Sequence, residues 1–250
     1  MPSLCLAAAQ SLSIPGDLAA NIERHCAFVQ AAATAGAQLL LFPELSLSGY
    51  EPERVASCVV DPAGPALAPL RELAQQKKMI LILGAPLASG SERPHIGAIV
   101  LFPDGSHATY HKRHLHPGEE RWASAGDAAS CSFALGAERC ALAICADTGH
   151  AEHAAAAAAT GASLYLAGVL ISKQGYATDS ATLQGHAARH GFGVLMANHG
   201  GPSGGYAAAG RSAFWDARGQ LVGATEGPGE QLLILRGQPD GAWSAQRLTP

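Results

Sequence analysis

Apolar residues along the chain occur at two spacings, which predict strands alternating with helices. Short apolar runs, typical of strands, cover residues 3–9, 38–42 and 79–83. Apolar residues three or four positions apart predict a helix that Asp17 caps and Gly36 ends, and a second helix over residues 67–78. The first part of the chain therefore reads as strand, helix, strand, helix, strand.

Turn residues between other apolar runs predict antiparallel strands. Residues 95–102 and 106–112 form one predicted hairpin, joined by a Pro-Asp-Gly turn, and residues 131–135 and 139–144 form another. Further strands are expected at residues 192–197, 208–215, 220–224 and 231–235, the last three as closing antiparallel strands. A helix over residues 179–190 precedes the first of these strands.

The centre of the chain predicts a β-α-β unit. The strand over residues 139–144 is followed by an alanine-rich helix over residues 150–159, a Thr-Gly pair and a strand over residues 163–171. Cys145 then lies at the carboxyl end of the first strand of this unit, which is where ligands gather in α/β sheets. A thiol beside a helix amino terminus is expected to be a thiolate, although a buried structural cysteine fits the same position.

Composition restricts the class of protein. The chain has 250 residues, of which 48% are hydrophobic and 14% charged, enough for one large α/β domain over residues 1–250, with a polar, loosely held tail at about 237–250. The net charge of −4 and the lack of a basic stripe give no indication of binding to nucleic acid or to a membrane surface.

The cysteines and the apolar runs predict the compartment. No apolar stretch approaches the roughly 18 residues of a membrane span, and the first residues lack the charged region of a leader. The six cysteines are scattered without a CxxC pair, so they are expected to be reduced thiols in a cytoplasmic protein.

Two more chemically useful residues follow predicted strands. Glu44 comes after the strand over residues 38–42, and Lys112 ends the strand over residues 106–112. A solvated loop glutamate and a basic edge strand would explain them separately. Together with Cys145 they place a carboxylate, an ammonium and a thiol at equivalent strand ends, in the chain order Glu, Lys, Cys.

The motifs around these three residues resemble those of the nitrilase superfamily of carbon–nitrogen hydrolases over nearly the whole chain. The first-glutamate motif of the family resembles Phe-Pro-Glu, which ends at Glu44, followed by Ser-Gly-Tyr, which ends at Tyr50. The lysine motif resembles Tyr-His-Lys-Arg-His-Leu around Lys112. The nucleophile motif resembles Ile-Cys-Ala-Asp around Cys145. Asn198 and residues 210–219 resemble later blocks of the family. The resemblance implies a four-layer α-β-β-α sandwich, assembled as a homodimer or larger homo-oligomer.

The resemblance also implies a reaction and the residues that perform it. Cys145 would attack the carbonyl carbon of a small amide to give a thioester, with Glu44 as the general base. Lys112 and the backbone N–H of Ala146 would hold the oxyanion. A second catalytic glutamate is expected after the lysine, where Glu119 is favoured over Glu120. Tyr50 and Asn198 are further expected substrate-binding residues, and no metal or organic cofactor is needed.

The chain departs from the family pattern after the nucleophile. The usual Arg-Phe-Pro of many members is absent between Asp147 and Glu152, and the strand after the following helix lacks its Pro and aromatic residue. Since these positions line the pocket in the family, the choice among amide, N-carbamoyl and nitrile substrates stays open, with amide hydrolysis favoured.

Two readings from other classes are alternatives. His186 and His190, one helical turn apart, are spaced as the ligands of a metal-dependent hydrolase often are, although no third ligand is evident. A non-catalytic binding protein could also keep the fold. The intact Glu44, Lys112 and Cys145 argue against that second alternative.

Overall fold

Thirteen strands and four α-helices make up the computed structural model, which describes residues 4–127, 131–238 and 241–250. In chain order they are β1 (Cys5–Gln10), α1 (Leu18–Thr34), β2 (Leu39–Leu41), α2 (Ala68–Lys77), β3 (Ile80–Leu87), β4 (His95–Leu101), β5 (His107–His111), β6 (Ser132–Leu135), β7 (Glu138–Ile144), α3 (Ala151–Ala159), β8 (Leu164–Val169), α4 (Tyr176–His190), β9 (Gly193–Asn198), β10 (Ala213–Trp215), β11 (Leu221–Ala224), β12 (Gln231–Gly237) and β13 (Trp243–Leu248). Ser3, where the first strand was predicted to begin, and residues 239–240 of the predicted tail lie outside the described residues.

The strands form two sheets. One has the order β13-β12-β1-β2-β3-β4-β5, and the other has the order β11-β10-β9-β8-β7-β6. The predicted β-α-β unit is present, because β7 and β8 run parallel with α3 between them. The two sheets pack face to face with helices on their outer faces, which confirms the predicted α-β-β-α sandwich.

Successive side chains of each buried strand point alternately to the two faces of its sheet, and they supply the packing layers on both faces. In β2, Leu39 and Leu41 belong to the core cluster between the two sheets, which also contains Leu142 and Leu166 of the second sheet. Leu40, between them, belongs to the cluster under α1 and α2. Because successive side chains of a strand point to opposite faces, one apolar run supplies both layers. This is why the buried strands read as continuous apolar runs.

The helix boundaries follow local sequence signals. The side chain of Asp17 accepts a hydrogen bond from the backbone N–H of Ala20, as an N-cap does, so the predicted start of α1 is confirmed. Gly191, at φ +69°, ends α4 in the left-handed conformation that glycine adopts without strain.

The C-terminal third differs from the prediction. The closing strands do not stay together, because β12 leaves β10 and β11 and pairs antiparallel with β1 in the other sheet. The tail predicted to be loosely held contains β13, which pairs antiparallel with β12 in register Leu232 to Leu248. Short runs of this kind carry no sequence signal for which sheet they join.

The helices within the described residues are all too short or too polar to cross a membrane.

Candidate active site

The ends of three strands come together at the site, and the residues that follow two of them line one small cavity. Glu44 lies three residues after β2, Lys112 directly follows β5, and Cys145 directly follows β7. A cavity of about 50 Å³ lies at this point, and it is lined by Glu44, Tyr50, His116, Glu119, Cys145, Leu170 and Tyr206. The structure therefore brings together the strand ends that the sequence singled out, although β7 belongs to a different sheet from β2 and β5.

The ammonium group of Lys112 lies between two carboxylates. Its Nζ is 2.6 Å from Oε1 of Glu44 and 2.8 Å from Oε1 of Glu119, and all three residues are buried. Burial alone would lower the pKa of Lys112, but the neighbouring carboxylates and Cys145 raise it above its ordinary value. The lysine therefore stays charged, and two of its three N–H donors are used by the carboxylates.

Glu44 offers one free oxygen. Among the described residues, its Oε2 is buried without a hydrogen-bond partner. Burial raises the pKa of the Glu44 carboxyl, and the charge of Lys112 opposes this shift without cancelling it. A carboxylate with a raised pKa and a free oxygen is suited to accept a proton.

The backbone around Glu44 is held by close packing. A Cβ on Gly84 would lie 2.1 Å from the carbonyl oxygen of Pro43, so only glycine fits there. The ring Nε2 of His199 lies 2.6 Å from the carbonyl oxygen of Glu44, and burial lowers the pKa of His199 to about 4. The neutral ring therefore donates its N–H to this carbonyl. These contacts fix the backbone from which the Glu44 side chain extends.

Cys145 sits at a strained turn. Its φ is +44°, which is uncommon for a residue other than glycine, and it begins a short 3₁₀ helix over Cys145–Gly149. The thiol Sγ lies 3.7 Å from the carbonyl oxygen of Leu170 and donates to it.

The resting state of this thiol differs from the prediction. Burial and the charge of Glu44 raise the pKa of Cys145 well above its ordinary value, and Lys112 only partly opposes them. The pKa shift is therefore opposite to the one expected from the helix terminus, because burial opposes formation of the thiolate more strongly. A base must remove the thiol proton before Cys145 can attack.

The two candidate second glutamates have different environments. Glu119 is buried, and its Oε1 accepts from the hydroxyl of Tyr50 at 2.7 Å as well as from Lys112. Its Oε2 accepts from the backbone N–H of His116 at 2.7 Å. Glu120 is exposed, and its carboxylate accepts from the backbone N–H of Gly118 at 2.7 Å without contacting Lys112. The structure thus places Glu119, and not Glu120, beside Lys112.

Asp147 connects the two halves of the site. Its Oδ1 accepts from the backbone N–H groups of Arg113 and His114, just after Lys112. Its Oδ2 accepts from the N–H of Ile144, just before Cys145, and from the hydroxyl of Tyr110. One buried carboxylate therefore ties the lysine segment in one sheet to the nucleophile turn in the other.

The three predicted substrate-binding residues are placed differently. Tyr50 lines the cavity. Ala146 is the second residue of the 3₁₀ helix, and the first N–H groups of a helix lack an intrahelical acceptor. Asn198 does not line the cavity, and its side chain is engaged by the backbone of Ile171, His199 and Gly210. The amide of Asn198 therefore holds two loops and has no donor left for a substrate.

The alternative metal pair is not assembled into a site. His186 is buried, and its Nε2 lies 2.8 Å from the carbonyl oxygen of Thr148. The rings of His186 and His190 have centroids 6.2 Å apart, and no third ligand joins them within the described residues.

Leu170 and Tyr206 line the pocket although no sequence motif indicates them. Leu170 contributes the carbonyl that faces the thiol, and Tyr206 packs its ring edge-to-face on Tyr50 with centroids 5.8 Å apart. Tyr206 directly follows a glycine-rich loop, residues 200–205. Gly204 of that loop is packed so closely on Tyr50 that a Cβ would lie 2.0 Å from the Tyr50 carbonyl oxygen.

Comparison with known proteins identifies a family. A sequence model of the family "carbon-nitrogen hydrolase" matches residues 5–241 of the chain. No curated protein matches the chain.

Solved structures of an amidase from Nesterenkonia sp. AN1 are similar to the chain over nearly its whole length. A cysteine-to-alanine mutant of that amidase in complex with butyramide is 28% identical, with a TM-score of 0.86, covering 95% of this chain and 92% of that chain. A glutamate-to-glutamine mutant that shows the result of Michael addition of acrylamide at the active-site cysteine is also 28% identical, with a TM-score of 0.85 and 92% coverage of each chain.

Proposed function

Because this chain belongs to the carbon–nitrogen hydrolase family of the nitrilase superfamily, we propose that it is an amidase that hydrolyses a small amide through a thioester on Cys145. The observation that carries this proposal is the position of Lys112. Its ammonium group has three N–H donors, of which Glu44 and Glu119 use two. The third has no acceptor among the described residues, and we assign it to the oxyanion that forms beside Cys145.

In the first half of the reaction, Glu44 acts as the general base. Its free Oε2 takes the thiol proton as Sγ of Cys145 attacks the carbonyl carbon of the amide. The carbonyl oxygen becomes an oxyanion, stabilised by Lys112 Nζ and the N–H of Ala146. Glu44 then passes the proton to the leaving nitrogen, the C–N bond breaks, and ammonia or an amine leaves a thioester on Cys145.

In the second half, water replaces the amine. Glu44 removes a proton from the water, whose oxygen attacks the thioester carbon, and the same two donors hold the new oxyanion. The C–S bond breaks, the sulfur regains the proton from Glu44, and a carboxylic acid leaves. Glu119 acts by keeping the ammonium of Lys112 and the hydroxyl of Tyr50 in place through both halves.

The size of the cavity supports a short substrate. One water molecule needs a cavity volume of roughly 10–15 Å³. A cavity of about 50 Å³ therefore holds few atoms beyond an amide group and a short chain. The complexes of the Nesterenkonia amidase with butyramide and acrylamide support the same substrate class.

A substrate panel tests the proposal. Ammonia release is measured with short aliphatic amides, ω-amides, N-carbamoyl compounds and nitriles, using the wild type, Cys145→Ala and the control Cys26→Ala. Turnover of a short amide by the wild type and by Cys26→Ala, with loss in Cys145→Ala, is the expected result. Preferred turnover of nitriles or carbamoyl compounds would contradict the amidase assignment, and full turnover by Cys145→Ala would contradict the mechanism.

Location and assembly are further proposals. All six cysteines are free thiols, which supports a location in a reducing compartment such as the cytoplasm. Assembly into a homodimer or larger homo-oligomer rests on the family resemblance, and light scattering of the purified protein at several concentrations tests it.

A further inference from the structure

Three side chains that commonly bind metal ions meet outside the cavity. They are His114, His150 and Glu152, and their ligand atoms all lie within 4.8 Å of one another. None of the three lines the cavity around Cys145. Two imidazoles with one carboxylate form a set that binds Zn²⁺ with water in the fourth position. We propose that His114, His150 and Glu152 bind one divalent transition-metal ion, with Zn²⁺ preferred over Ca²⁺ or Mg²⁺.

The distances fit a small adjustment on binding. Bonds of about 2.0–2.2 Å to nitrogen and oxygen place two donors of a tetrahedral ion about 3.3–3.5 Å apart. His150 Nδ1 and Glu152 Oε1 are already 3.3 Å apart, so this pair needs little movement. The ligand atom of His114 lies at most 4.8 Å from each of the other two. It must therefore move closer to them by at most about 1.5 Å to reach the spacing of a tetrahedral site.

The rings of the two histidines must also turn. They stack with centroids 3.7 Å apart and an angle of 12° between their planes, which points their lone pairs side by side instead of at one ion. The side chains of His150 and Glu152 are 44% and 64% exposed, which leaves both of them room to turn toward the ring of His114. Binding therefore exchanges a ring stack and one weak hydrogen bond for three metal bonds.

His114 provides an independent indication. Its Nε2 is buried without a hydrogen-bond partner, and its ring makes no hydrogen bond to any described residue. Buried polar atoms without partners are rare in folded proteins, and each one needs an explanation such as an absent ion. The ring of His114 stacks on His150, but its Nε2 has no hydrogen-bond partner among the described residues and is available to bind a metal ion.

The three residues belong to the two segments that carry Lys112 and Cys145, so a bound ion would link these segments. His114 lies two residues after Lys112, and its backbone N–H donates to Asp147, two residues after Cys145. His150 ends the 3₁₀ helix that begins at Cys145, and Glu152 lies in the first turn of α3. An ion at this site would join the lysine segment to the nucleophile turn from outside the cavity. It would stabilise the fold and take no part in bond breaking.

Metal binding to an inactive variant tests the proposal without relying on catalysis. Metal-stripped Cys145→Ala protein is titrated with Co²⁺ and then with competing Zn²⁺, following the visible spectrum of Co²⁺ and the melting temperature. The same titrations are made with His150→Ala, Glu152→Gln and the control His107→Ala, an exposed histidine of β5, each in the Cys145→Ala background. Circular dichroism of the stripped proteins checks that each variant folds.

The proposal predicts one saturable site with nitrogen and oxygen ligands and no thiolate charge-transfer band. The affinity should fall about tenfold or more in His150→Ala and Glu152→Gln and stay unchanged in His107→Ala. Zn²⁺ should raise the melting temperature, and the rise should be smaller in the two variants that bind it more weakly. Lack of saturable binding, a thiolate band, or equal affinity in His150→Ala would overturn the proposal.

Discussion

The ammonium nitrogen of Lys112 lies 2.6 Å from Oε1 of Glu44, and neither side chain is exposed to solvent. Two opposite charges taken out of water depend on each other, because either one alone would be a buried unpaired charge. The pair therefore ties the base of the proposed reaction to its oxyanion donor. Changes to either member should affect stability and catalysis together.

Replacement of Lys112 by methionine tests this dependence. Lys112→Met removes the positive charge but keeps an unbranched chain, so Glu44 and Glu119 lose their shared partner. We expect the free energy of unfolding to fall by about 3–5 kcal/mol and kcat to fall by about 10²–10³-fold. Urea unfolding and steady-state kinetics measure the two effects. Lys77→Met, at an exposed position at the end of α2, is the matched control and should change neither the free energy of unfolding nor kcat. A fully active Lys112→Met enzyme would exclude the proposed oxyanion role.

The pH dependence of kcat/KM should report the environment of Glu44. Burial raises the pKa of this carboxyl above its ordinary value of 4.5. The base must be unprotonated, so activity is complete above this pKa and is lost as the pH falls through it. The acid limb should therefore have its midpoint above pH 4.5. Circular dichroism over the same range separates titration from unfolding, and a midpoint at or below 4.5 in folded protein would contradict the assigned environment.

The adjacent glutamates allow a matched comparison. Glu119→Gln removes the charge that holds Lys112 and Tyr50, whereas Glu120→Gln changes an exposed carboxylate. We expect kcat/KM to fall by about 10²-fold or more in the first variant and to stay within twofold of the wild type in the second. Kinetics of both variants with one short amide measure this. Equal activities would show that the contact between Glu119 and Lys112 has no role in the reaction.

Tyr206 should limit the length of the acyl chain. Its ring lines the cavity and packs on Tyr50, while 42% of the residue stays exposed, so Tyr206→Ala should widen the pocket without a large loss of stability. A methylene in an apolar pocket changes kcat/KM by about 10–200-fold. In Tyr206→Ala, the ratio of kcat/KM for a longer aliphatic amide to that for a shorter one should therefore rise by about 10-fold or more. Tyr176→Ala, a tyrosine outside this cavity, is the control and should keep the wild-type preference. An unchanged chain-length profile in Tyr206→Ala would remove Tyr206 from the pocket wall.

Local motifs determine where the reactive residues lie along the chain, whereas tertiary contacts build the cavity around them. Glu44, Lys112 and Cys145 follow apolar strands within recognisable motifs, so their positions at strand ends were predictable. Of the two glutamates after the lysine, Glu119 lies beside it, and its role in the reaction stays a prediction. The cavity wall was not predictable. Tyr206 directly follows a glycine-rich loop whose course is set by its contact with Tyr50, and such a contact has no sequence period.

Long-range effects explain the other differences. The thiol of Cys145 was expected to be ionised because a helix follows it, but its pKa depends on burial and on Glu44, which is distant in sequence. Similarly, β12 pairs with β1, from the other end of the chain. Asn198 was expected to contact the substrate, but the backbone of Ile171 and Gly210 occupies its donors. In each case local sequence gives the element or residue, and tertiary contacts decide its role.

The central claim is that the acyl group of the substrate is carried by the sulfur of Cys145. The most direct measurement is mass spectrometry of enzyme quenched in acid during turnover of a short amide, followed by peptide mapping. The account predicts that the peptide containing Cys145 gains the mass of the acyl group less one hydrogen, and that the other five cysteines stay unmodified. Acylation of a different residue, or turnover in Cys145→Ala at the wild-type rate, would contradict it.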